Sequence, residues 1–218
     1  MLVRIVRFLL LALTDLAMIP ALNIMKRNRR HFELFVGVLH LGVSFIFNAA
    51  EALDTELFLK ENEWHFISDV LSVSYFLMLC VHVMDYKNEN HNIVLRYVAF
   101  AGAWITKTKD DWSSVIFQAL LAICYLLGVF YRRTFTPGAD ISPLIKQNVT
   151  YAMGCLAAFL VVLIVIVFFD EDDSPDALGL AMGMLHITAG ALFYYAWLSV
   201  PCMDSKKDDI IPKYSSYV

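Results

Sequence analysis

Residues 39–54 read LHLGVSFIFNAAEALD, a stretch apolar enough to cross a bilayer that nevertheless carries Ser44, Asn48 and Glu51. On a helix these three stand at i, i+4 and i+7 and share one face. Polar groups on a membrane helix are costly toward lipid, so that face must meet protein or water. Two further residues could join them. Asp69 stands near the start of a later apolar run and His186 within the last one. A carboxylate, an imidazole and a hydroxyl brought together could hold a metal and activate water. In that chemistry His186 supplies a nitrogen ligand and Asp69 and Glu51 supply oxygen. Asn48 and, one turn before His186, Met182 are weak zinc ligands. Ser44 and Asp69 are the catalytic candidates. The alternative is an interhelical hydrogen-bond network with no metal, each bond worth about 0.6 kcal/mol.

The elements that must position these residues are membrane spans. The chain has 218 residues, 59% hydrophobic and 17% charged, with a mean hydropathy of +0.62. A soluble domain of this size does not need so apolar a composition. Runs of roughly 20 apolar residues predict seven spans, about 3–24, 33–53, 66–85, 93–106, 113–131, 148–169 and 178–200. The fold class expected is an all-α membrane protein, a seven-transmembrane helix bundle over residues 1–201 with a short tail at 202–218. Residues 1–23 read as the first span rather than a cleaved signal peptide. The fourth stretch is short and contains Arg96.

Twelve of the 17 basic residues fall on one side of this arrangement, including Lys26, Arg27, Arg29, Arg30, Arg132, Arg133 and Lys146. The bias of Lys and Arg toward the cytosol then puts the N-terminus outside and the C-terminus in the cytosol. With that topology Asn48 lies ~8 Å and His186 ~12 Å below the outer ends of their spans. Asp69 lies about one turn down. Ser44, Asn48, Glu51, Asp69, Met182 and His186 are expected to share one pocket in the outer half of the bilayer. Asp15, beside Thr14 and ahead of Pro20, should face the bundle and serve as a structural partner. His40 reads as a satisfied packing histidine, and His82 and Asp85 as residues that snorkel or cap. Gly179 and Gly183 should let helices approach closely, within the bundle or in a homodimer.

The four cysteines form no disulfide framework, since three lie inside apolar runs. Cys202, beside Lys206 and Lys207 at a membrane edge, is a candidate for S-palmitoylation. The sequon at Asn148 falls at a cytosolic helix end and should go unused. No basic stripe with interleaved aromatics suggests nucleic acid.

The stretch LTDLAMIPALNIMKRNRRHFELFVGVLHLGVSF, the Ser44–Asn48 pair, Asp69, the turn Asp110–Trp112 and the last span with His186 resemble the transmembrane-protein-8 family of the CREST superfamily. The resemblance covers roughly residues 8–201. It implies a seven-span bundle. In that superfamily the pattern is a Ser-x3-His pair, an Asp and a His-x3-His pair, and the three histidines hold zinc that activates water for hydrolysis of lipid amides or esters. Ser44, Asp69 and His186 match this pattern. Asn48 and Met182 stand where two zinc histidines are expected, so the resemblance leans against an enzyme and against a zinc cofactor. No large extracellular region precedes the first span, as in myomaker-type members. The resemblance therefore implies a plasma-membrane protein promoting myoblast-type cell–cell fusion through lipid mixing. Its partners would be membrane lipids and a fusogenic micropeptide-type protein. A CREST-type metal-dependent lipid hydrolase with a remodelled site is the alternative.

Overall fold

The computed structural model describes residues 2–55, 58–86, 88–108, 112–135, 143–169 and 175–200. Within them the chain is helical, without strands. The first span has three parts: α1 (Leu2–Leu11), a 3-10 segment (Leu13–Met18) and α2 (Ile19–Arg27). It is followed by α3 (His31–Leu53), α4 (Glu61–Met84), α5 (Glu89–Lys107), α6 (Trp112–Phe135), α7 (Pro143–Phe169) and α8 (Pro175–Leu198). Six of the resulting helices are long and apolar enough to cross a membrane; the first of these runs Arg4–Arg27. The exception is α5, whose polar first turn and Arg96 dilute its 19 residues. The chain is thus a multi-pass membrane protein by length and composition of its helices.

The break in the first span has a local cause. Pro20 sits in the first turn of α2. It offers no N–H and its ring crowds the carbonyl one turn back, so the preceding turn departs from α geometry. The tighter winding over Leu13–Met18 turns Asp15 inward, where it is buried. The turns after α3 and α4 close on Asp54 (φ 54°) and Asp85 (φ 50°) in the left-handed conformation, which Asp adopts more readily than most residues.

Helix α4 is the axis. Buried residues make up 56% of its apolar window, against 6% for α6 and 11% for α7. It packs against α3, α5 and α6, while the first span lies between α3 and α8, and α7 packs on α8. The centre is aromatic and tightly bonded. Trp197 and Tyr75 are fully buried. The Trp197 indole N–H donates to the Tyr75 hydroxyl at 3.0 Å, and the Tyr75 ring lies 4.5 Å from Phe193. Burying an indole or phenol with its polar atom satisfied retains the full apolar gain.

Helix α8 reaches the first span at two glycines. A Cβ added to Gly183 would stand 2.8 Å from the Leu10 carbonyl oxygen, and one on Gly190 would stand 2.5 Å from that of Ala17. Both obstacles are backbone and cannot yield. The pair that permits close approach is therefore Gly183 and Gly190, two turns apart. Gly179, expected from spacing to contribute, has no described residue within 4 Å of its Cβ position.

Candidate functional site

Between those two glycines α8 presents His186, and opposite it the 3-10 segment presents Asp15. The carboxylate is the hub of a cluster from three helices. Ser44 Oγ donates to Asp15 Oδ1 at 3.1 Å, and Asn48 Nδ2 donates to Oδ2 at 2.7 Å. The same Asn48 amide donates to Ser44 Oγ at 3.3 Å. His186 Nδ1 lies 3.4 Å from Asp15 Oδ1 and 3.0 Å from Thr14 Oγ1. The Thr14 hydroxyl donates to the Leu10 carbonyl at 2.6 Å, so toward His186 it accepts. Both neighbours thus call for a proton on Nδ1. Asp15, Ser44 and Asn48 are all buried.

The expected meeting of Ser44, Asn48 and His186 is found. Asp15, read only as a structural partner, is the group that joins them. Glu51 and Asp69 are engaged elsewhere, which corrects the expectation of a single pocket holding all six residues. Glu51 accepts from Arg7 of α1 at 3.1 Å. Asp69 accepts from Lys107 at 2.6 Å on the oxygen that His65 Nδ1 approaches to 3.1 Å. Depth along a span is readable from sequence, but the azimuth is not. Asp69 turns to α5 because a lysine ends that helix at the same level. Met182 is half-buried one turn before His186.

The described residues around Asp15 make a poor donor set for zinc. A site of this kind takes three protein ligands. Among the described residues no three His, Cys, Asp or Glu side chains are placed to hold a metal. Asn48 turns its NH2 rather than its oxygen to the acid, and both Asp15 oxygens already accept. Ser44 donates to Asp15 and bonds to no described imidazole. One histidine remains incompletely satisfied. His40 Nε2 lies 2.7 Å from Ser72 Oγ, whose own proton goes to the Ser68 carbonyl. Its Nδ1 is sealed without a partner among the described residues, so the expected packing histidine is only half satisfied.

A second buried acid lies at the opposite end of α3, and the sequence reading missed it. Glu33 is 1% exposed. Its Oε1 accepts from Arg96 Nη1 at 2.7 Å and meets His82 Nε2 at 2.8 Å. Arg96 also reaches Glu89 at 3.2 Å, and the His82 ring lies 5.4 Å from Trp197. His82 therefore neither snorkels nor caps; it is buried against an acid. The signal was present. Glu33, Gly37, His40, Ser44, Asn48 and Glu51 recur at spacings of three and four, so Glu33 begins the same stripe that Ser44 continues. Cys202 and Asp110 lie outside the described residues.

Residues 3–187 match the model of a family described as a protein of unknown function, DUF3522. No curated protein matches the chain. The chain belongs to that family.

Proposed function

We propose that this member of the DUF3522 family is a seven-span plasma-membrane protein, N-terminus outside, that promotes cell–cell fusion through lipid mixing rather than hydrolysing lipid. The observation that carries the non-hydrolytic reading is the closure of the Asp15 cluster on itself. Ser44, Asn48 and His186 spend their donors on one carboxylate, and among the described residues of that cluster no serine is bonded to an imidazole. Such a cluster fixes helices against each other and asks nothing of a substrate. The family resemblance supports the fusion role, through the same two positions, Asn48 and Met182, at which a hydrolase would carry histidines. The seventh span is supported by α5, whose Arg96 is neutralised inside the bundle by Glu33, so its charge need not face lipid. The orientation is supported by the basic residues between α2 and α3.

The test is expression in two populations of non-fusing cells carrying different cytosolic dyes, with and without a fusogenic micropeptide-type partner. Shared cytoplasm is expected. Absence of mixing even with the partner overturns the fusion role. Near-stoichiometric zinc in the purified protein, with lipid hydrolysis lost in His186→Ala, would replace it by the hydrolase reading.

A further inference from the structure

The connection between α3 and α4 is fastened at both ends. On the α3 side the Thr55 N–H donates to the Ala50 carbonyl at 3.0 Å and the Asp54 N–H to that of Glu51 at 3.2 Å. On the α4 side the Lys60 N–H donates to Glu63 Oε2 at 2.9 Å, and the Glu63 N–H returns to the Lys60 carbonyl at 3.0 Å. Between these anchors the sequence places three apolar residues in a row, Leu57, Phe58 and Leu59, flanked by Glu56 and Lys60. Phe58 is at odds with its surroundings in two ways. It is 98% exposed, more than any other large apolar side chain among the described residues. Its backbone is left-handed, at φ 59°.

For a bulky aromatic that conformation is an outlier and costs free energy. The other described non-glycine residues with positive φ, Arg29, Asp54 and Asp85, each close the end of a helix. Phe58 closes none, since Asp54 caps α3 and Lys60 caps α4. A strained backbone persists where something compensates it, and a ring this exposed gains nothing from packing inside the chain. The compensation lies outside it. Both α3 and α4 are long and apolar enough to cross a membrane. The 23 residues of α3 extend ~35 Å, past a hydrocarbon core of ~30 Å but short of the ~40–45 Å that includes the headgroups. A residue just beyond α3 therefore stands among headgroups. About one turn inside, the Phe66 and Trp104 rings meet at 5.6 Å with Trp104 41% exposed, as in the aromatic belts of membrane interfaces.

We propose that Phe58 is a lipid-contact residue, its ring seated between the headgroups of zwitterionic phospholipids in the leaflet at the α3–α4 end of the bundle. Insertion takes an exposed phenyl ring out of water, which offsets the strain of its backbone. The fastened flanks hold the ring at that depth. Acids flank the apolar triplet, so a zwitterionic leaflet suits it better than an anionic one. The inference rests on the multi-pass membrane reading and not on the fusion role, so its test uses purified protein and no fusion readout.

Phe58 is replaced by the photo-crosslinking analogue p-benzoylphenylalanine, which keeps an aromatic ring at an exposed position and so leaves the bundle intact. The protein is placed in nanodiscs of dioleoyl-phosphatidylcholine, and vesicles of phosphatidylcholine with deuterated chains are added outside. After illumination the adducts are read by mass spectrometry. The same analogue at Thr55, exposed in the same connection, is the control. Adducts of the nanodisc lipid are expected from position 58, in several-fold higher yield than from position 55. A yield no higher than at Thr55 overturns the proposal. So do adducts drawn mainly from the deuterated vesicles, which would assign Phe58 to an apposed membrane, or mainly from a second copy of the chain, which would assign it to a protein interface.

Discussion

Two buried acids at opposite ends of α3 are accommodated by opposite means. Asp15 is surrounded by a hydroxyl, an amide and an imidazole, with no guanidinium or ammonium against it among the described residues. Glu33 is held by a guanidinium and an imidazole, with Arg96 further anchored on Glu89. In a low-dielectric interior an ion pair is strong but each ion is costly to bury, so removing one partner strands the other. A hydrogen-bonded cluster of neutral donors degrades gradually, because the remaining donors reorient. The first arrangement is expected to lose less on substitution than the second. Asp15 also joins elements distant in sequence, the first span, α3 and α8, whereas Glu33 joins the consecutive helices α3, α4 and α5.

This contrast can be broken by measurement. The largest effect is expected for Arg96→Ala, which leaves Glu33 buried with one partner; a loss of about 3–5 kcal/mol is expected from breaking a buried pair. Unfolding in mixed micelles reads it, and the double variant Glu33→Gln, Arg96→Ala should recover part of the loss. A loss below about 1 kcal/mol would place Glu33 in the same class as Asp15. Next comes Asn48→Ala, expected to cost on the order of 1 kcal/mol, with a coupling to Asp15→Asn of roughly 0.6 kcal/mol in a double-mutant cycle. A coupling of several kcal/mol would show that the Asp15 cluster behaves as an ion pair. The smallest effect belongs to Arg7→Gln. The Arg7–Glu51 pair is 38% and 29% exposed, and its loss should cost less than about 1 kcal/mol and vanish in high salt.

Much of this arrangement was legible in the sequence, and the limits have physical causes. The spans announce themselves by composition, and the stripe Ser44–Asn48 by its spacing. Asp69 misled because depth and azimuth are separate variables: topology sets the first, and only packing sets the second. Asp15 was read as facing the bundle, but which side chains it meets was not legible from a uniform helix through residues 3–24. The 3-10 winding ahead of Pro20 rotates it by an amount the apolar periodicity does not reveal. Glu33 was passed over because an acid at the first residue of its expected span reads as a boundary residue. Its burial depends on Arg96, which lies 63 residues away in the span hardest to delimit. Gly190 was missed because its partner Gly183 lies two turns away rather than one.

The placement of the donors around Asp15 also has a consequence in time. Ser44 and Asn48 belong to the second span to be synthesised, so two of the acid's donors arrive with the first helical hairpin. His186 belongs to the last. At 5–20 residues per second, the ribosome takes on the order of ten seconds to travel from Asn48 to His186. During that interval the hairpin of the first span and α3 can rest in the bilayer with Asp15 already bonded, and α8 has only to close against a surface prepared for it. The acid that looks from sequence like a liability of the first span is thus a docking mark left for the last one.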